Sequence, residues 1–169
     1  SVVIRRKPMS LLQGLIDENV DRHTRDLVTL TATASITSAD HAGRTLLMGE
    51  VGGDAAATFT LPAATGTGSV FKFVVSVVNT SNYLVKVADA TDTIDGQIMI
   101  TDADGTAATS FVTAAASDTI TLNGTTTGGG AIGDYVELID IASNQYAVSG
   151  MVTCAAGSNI ATMFSATVS

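Results

Sequence analysis

The sequence predicts an all-β domain, a jelly-roll-like sandwich or barrel of about eight to eleven short antiparallel strands, preceded by an N-terminal arm with a short amphipathic helix. Three observations predict it. Ala, Thr, Gly, Val and Ser dominate, with two Pro and no Trp in 169 residues, which favours short strands and tight turns. From Leu27 onward helical periodicity disappears. Turn signals then recur every eight to twelve residues or so, the spacing of a sandwich or barrel.

Residues 1–26 form the arm and 27–169 the β domain. Pro8 disfavours helix at Lys7. Ser10 with Gln13 makes a capping box. Leu11, Leu12, Leu15, Ile16 and Val20 then lie on one face at helical spacing. Glu18 with Arg22 and Asp21 with Arg25 are i,i+4 pairs in the favourable order. Gly14 costs about 1 kcal/mol relative to Ala, so this helix needs a surface to pack on.

In the β domain, Leu27 to Thr33 alternates as a strand, Asp40 to Gly43 turns, and Thr45 to Met48 is a short apolar strand. Strands follow at Thr58 to Leu61, at Val70 to Val78 and at Tyr83 to Val87, separated by the loops Gly49 to Ala57, Ala63 to Ser69 and Asn79 to Asn82. Asp89 to Gly96 reads as an acidic turn, with strands at Gln97 to Ile100, Ser110 to Thr113 and Thr119 to Leu122 beyond it. After the glycine-rich loop Asn123 to Gly130, Tyr135 to Ile141 and Gln145 to Met151 form a hairpin about Ala142-Ser143-Asn144. A last strand falls near Ala161 to Val168. No helical stretch separates the strands, which excludes βαβ units. Within the hairpin, alternation puts Val136, Leu138 and Asp140 on one face and Tyr135, Glu137, Ile139 and Ile141 on the other. Both faces are mostly apolar, more so than a solvated sheet face needs. The hairpin is therefore expected between the core and a subunit contact made by Tyr135, Ile139 and Ile141.

Length and charge narrow the function classes. A domain of this size buries roughly 70% of its unfolded surface and needs no staples. The one cysteine, Cys154, permits no internal disulfide or cysteine-based zinc cluster, and its neighbours Val152 and Ala155 predict a buried, inert thiol. The longest apolar run, Val70 to Val78, contains Lys72 and falls short of the about 18 residues that cross a bilayer. Arg5-Arg6-Lys7 followed by Pro8 makes a poor signal peptide, so synthesis in the cytoplasm is expected. Residues 1–44 carry six basic and five acidic residues, a balance of +6 − 5 = +1. The remaining 125 carry Lys72 and Lys86 against eleven acids, 2 − 11 = −9. Such a body repels nucleic acid. A basic arm on an acidic body fits docking to an acidic partner surface, or plain tail solubility.

No motif carries chemistry. Asp102-Ala103-Asp104-Gly105 starts like a calcium loop, but Ala107 and Thr113 stand where Gly and an acid are needed. Asp89, Asp92 and Asp95 read as turn aspartates more readily than as calcium ligands. The glycines of GTTTGGG and GEVGGD lack the following Lys-Ser/Thr of a phosphate loop. His23 and His41 stand apart from any nucleophile pattern. The expectation is a protein without enzyme activity, cofactor or metal. The tyrosines and phenylalanines are spaced as strand residues that pack.

Thr60 to Val75, Tyr83 to Ile98 and Ser117 to Gly150 resemble, in segment style and order, the capsid decoration or cement proteins of tailed bacteriophages. The similarity covers roughly residues 58–169. It implies a β-rich virion protein on the outer capsid surface, homotrimeric, which bridges major capsid protein subunits and brings no catalytic residues. Arg5, Arg6, Lys7, Leu11, Leu12, Leu15 and Ile16 would then be the capsid-docking arm, in a groove between capsid subunits. A receptor-binding or fibre-tip module of a phage virion is the alternative that shares these β and loop features.

Overall fold

A computed structural model describes residues 27–157 and 159–168. The strands are β1 (Leu27–Leu30), β2 (Ala34–Ser35), β3 (Thr45–Met48), β4 (Ala57–Thr60), β5 (Val70–Val75), β6 (Tyr83–Lys86), β7 (Thr93–Asp102), β8 (Ala108–Val112), β9 (Thr119–Leu122), β10 (Tyr135–Ala142), β11 (Gln145–Cys154) and β12 (Phe164–Ser165). A single-turn helix, α1 (Ser38–His41), is capped by the Thr37 hydroxyl, which accepts from the Asp40 N–H. Two mixed sheets result, with orders β1-β3-β5-β10-β11-β7-β8 and β12-β9-β6-β4-β2.

The all-β sandwich matches the expectation. The antiparallel pairing expected of a jelly roll holds in only half of the ladders: five of ten are parallel. The reason lies in the winding. From β1 to β6 successive strands alternate between the two sheets, so that β1-β3-β5 and β2-β4-β6 each run parallel. Parallel neighbours need a crossover, and here a strand in the opposite sheet provides it instead of a helix.

Alternation along each strand sends one row of side chains between the sheets. Phe71, Phe73 and Val75 of β5, Val136 and Leu138 of β10, and Tyr146 and Val148 of β11 meet Phe59, Tyr83, Val85 and Ile120 from the smaller sheet. Phe59 stacks on Phe73 and on Tyr83, with centroids 5.7 and 5.9 Å apart, and Phe71 meets Tyr146 edge-on at 6.3 Å. The Tyr83 hydroxyl has the Met48 and Val77 carbonyls within reach of its one proton and accepts from the Glu50 N–H, so a buried polar atom is satisfied. Cys154 is buried and free, as expected. Burial, then the charge of Asp102, pushes its thiol above the usual range.

Asp89 to Gly96 departs from the expected turn. Thr93 to Gly96 opens the long β7, which runs parallel to β11 over ten residues. Gly96 permits it: at φ 144° it passes so close to Val148 that an added Cβ would collide with the Val148 carbonyl oxygen.

Candidate functional site

The outward face of the larger sheet is the strongest candidate. Registers across four ladders align Leu47 (β3), Val74 (β5), Tyr135 (β10), Met151 (β11) and Met99 (β7) in one row perpendicular to the strands. Thr29 and Ser110 terminate it on β1 and β8. Met99 is 48% exposed and Met151 52%; Leu47, Val74 and Tyr135 are half-buried. A shallow depression of about 250 Å³ lies at the Met99–Met151 end, lined also by Thr101, Gly133, Tyr135 and Thr153. The adjacent row is polar: Thr45, Lys72, Glu137, Ser149 and Gln97. Lys72 stands directly opposite Glu137 and places its ammonium 4.8 Å from the Tyr135 ring centroid. A third row holds Val70, Ile139, Ala147 and Asp95.

Tyr135 and Ile139 thus stand on one outward face, in different rows, as their spacing predicted. Ile141 falls at a bulge between Asp140 and Ala142, where it is 49% exposed. The inward face of the hairpin is buried, and the outward face is open to half-buried in the single chain. Arg5, Arg6, Lys7, Leu11, Leu12, Leu15 and Ile16 lie outside the described residues. Leu47, Val74, Met99 and Met151 were not identified from the sequence. Each is an outward residue of an alternating strand, but the parallel pairings that bring them together leave no local signal.

Carboxylates elsewhere are occupied in holding loops. Asp140 accepts from the N–H groups of Thr65 (3.0 Å), Gly66 (2.6 Å) and Thr67 (3.0 Å) and from the Thr67 hydroxyl (2.7 Å). Burial alone would push its carboxyl up, but these donors outweigh it and hold it below the ordinary range. Asp92 accepts from the Ala64 N–H, and the Tyr146 hydroxyl donates to the Pro62 carbonyl. Three residues before or within different strands therefore pin the 62–67 loop. Burial raises the Asp92 carboxyl, and the Asp89 and Asp140 charges add to this against the Ala64 donor.

Asp134 accepts from the N–H groups of Gly129, Ala131 and Thr153 on one oxygen. Burial pushes its carboxyl up more than these donors pull it down. Asp118 accepts from Thr167 and Val168 and so ties the C-terminal segment, while Glu50 accepts from Asp54 and Ala55. Asp102 closes the β7–β8 turn through Thr106 and Ala107. In the glycine-rich loop, Asn123 Oδ1 takes the N–H groups of Thr125, Thr126 and Thr127. These amides are committed internally, as a structural rather than a phosphate-binding loop requires.

Asp89 bonds Thr91, and Asp95 accepts from the Gln145 side chain at 2.9 Å. Among the described residues no group of three or more His, Cys, Asp or Glu is placed to hold a metal ion, and no helix is long and apolar enough to cross a membrane. What the surface offers is contact area: the apolar row, and the uncharged edge strand β8, of which all but Phe111 is exposed. Comparison with protein-family models, curated proteins and solved structures finds no match for this chain.

Proposed function

We propose that the protein is a structural virion component that decorates the outer surface of a bacteriophage capsid and stabilises it by bridging major capsid protein subunits, as a homotrimer. The observation that carries this reading is the apolar row across five strands of a sandwich whose loops are pinned from within. Contiguous apolar surface of this kind marks a contact site, and internally committed loops suit a rigid spacer between subunits. The resemblance over residues 58–169 supplies the partner. In this reading residues 1–26 and one edge of the β domain meet the capsid, and nucleic acid and membrane are not partners.

The test is co-sedimentation of the purified protein with capsids lacking decoration, followed by a low-resolution particle map. Binding at regular positions on the head surface is the expected result, lost when residues 1–26 are deleted from a domain that stays folded. Full-affinity binding by 27–169 would remove the arm from the mechanism. Absence of head binding together with adsorption to cells or glycans would replace the whole reading by the fibre-tip alternative.

A further inference from the structure

We propose that β8 pairs antiparallel with β8 of a second copy of the chain, about a two-fold axis through Ser110. β8 is an edge of the larger sheet: β7 lies on one side, and among the described residues no strand lies on the other. The ladder with β7 fixes which backbone groups are spare. The Thr113 N–H donates to the Gly96 carbonyl and the Asp102 N–H to that of Ala107. The hydrogen-bonded pairs are therefore Gly96–Thr113, Ile98–Phe111, Ile100–Thr109 and Asp102–Ala107. Ala108, Ser110 and Val112 turn their N–H and C=O groups the other way, off the edge of the sheet.

Free edges are normally blunted by charge, proline, a bulge or shortness. β2 and β12, at the edges of the smaller sheet, have two residues each. β8 has five, in an unshifted register, and the chain carries neither charge nor proline from Gly105 to Ser117. Two copies of a chain of net charge −8 repel each other, and this uncharged stretch is where they can approach. Its ends also decide the direction. An antiparallel pair sets the exposed Asp104 residues of the two copies at opposite ends of the joint ladder, whereas a parallel pair sets them side by side.

The spare groups are self-complementary. Pairing Ser110 with Ser110, and Ala108 with Val112 in both directions, sets every spare N–H opposite a spare C=O and makes about six hydrogen bonds. A register shifted by one residue matches spare groups with spent ones. Side-chain sizes agree. Phe111 and Thr109 share the inward face, across from the buried Ile98 and Ile100. In this register each Phe111 meets Thr109 of the other copy, and each Val112, 69% exposed in the single chain, meets Ala108. On the outward face Ser110 continues the row of Met99, so the apolar rows of the two copies join end to end. The contact is isologous and joins copies in pairs, whereas a trimer uses a heterologous contact elsewhere on the surface. The pairing is a property of the free protein and stands or falls apart from the capsid reading.

A ladder this short lies at the small end of protein interfaces, below about 1,200 Å², so the full-length chain is sedimented over a wide concentration range. The weight-average mass should rise with concentration. Ser110→Pro removes the central spare N–H without breaking a bond to β7, and Val112→Lys puts a charge on the exposed edge. Each should weaken association about tenfold or more. Cysteines test the register, since Cys154 is buried. Paired Ser110 Cα atoms would stand about 5.5 Å apart, within reach of a disulfide. Mild oxidation should therefore link two copies of Ser110→Cys. It should leave Val112→Cys unlinked, because its two copies would stand about 14 Å apart along the ladder. A mass that never rises, association that neither edge variant weakens, or Ser110→Cys copies that stay unlinked would overturn the pairing. Val112→Cys linking as readily as Ser110→Cys would overturn it too. A stable trimer untouched by Val112→Lys and unlinked through Ser110→Cys refutes the β8 contact and leaves the trimer standing. Should Ser110→Pro fail to fold, Val112→Lys and the two cysteine variants decide.

Discussion

Replacing Asp140 by alanine should destabilise the protein by about 2–4 kcal/mol. The carboxylate takes three amide donors and one hydroxyl from Thr65, Gly66 and Thr67. Hydrogen bonds to a charged group contribute about 1.5–3 kcal/mol each, a gross sum of about 6–12 kcal/mol. The loop residues are themselves exposed, so water recovers most of their donors once the carboxylate is gone. Relief of the repulsion that raises Asp92 offsets a further part. For a chain of this size 1 kcal/mol moves Tm by about 2–4 °C, so the expected drop is about 4–16 °C. The assay is paired urea and thermal unfolding at pH 7, with proteolysis to locate opening at residues 62–67. Because the folded Asp140 carboxyl lies below its unfolded value, its stabilisation is complete above the unfolded value, about pH 4. It is lost as pH falls through the folded value, so wild type and variant should converge in acid. A deficit under about 1 kcal/mol at pH 7, or one that persists undiminished in strong acid, would refute the assignment.

Asp134 should behave oppositely, since its folded carboxyl is raised. Asp134→Asn keeps an oxygen for Gly129, Ala131 and Thr153 while removing a buried charge, so at pH 7 urea unfolding should show it as stable as wild type or more so. As pH falls through the raised folded value the wild type should gain on the variant. Gly96→Ala should cost about 2 kcal/mol or more through collision with the Val148 carbonyl and a strained φ, read as a lower urea midpoint with an unchanged slope.

Strand positions were legible because alternation and turn chemistry are local. Thr45–Met48 and Thr119–Leu122 fall where the spacing puts them, and the Tyr135–Ala142 and Gln145–Cys154 hairpin turns at Asn144, the φ 63° residue. Pairing was not legible. A strand that runs parallel to a neighbour some 25 residues away has the same alternation as one in a hairpin, as Phe59 beside Ala34 and Val85 shows. The acids were misread for a related reason. Of the eleven beyond residue 44, Glu50, Asp92, Asp102, Asp118, Asp134 and Asp140 are buried, and their partners are loop amides that sequence does not place beside them. Much of the acidity that looks like surface charge is loop-holding hardware. The apolar face was half visible: Tyr135 and Ile139 follow from alternation within one hairpin, whereas Met99 joins them only through the β11–β7 ladder.

Chain order and spatial order diverge in the larger sheet. Strands β1, β3 and β5 are synthesised first, then β7 and β8, and these two sets share no ladder until β10 and β11 come between them. Residues 76 to 134 separate the end of β5 from the start of β10, so on the ribosome the β5 edge waits through 59 residues of further elongation for its neighbour. A chain interrupted before Cys154 holds two incomplete pieces with unpaired edges, the kind that join to other chains. The penultimate strand closes the sheet, and the rate at which the nascent chain reaches it sets how long those edges stay open.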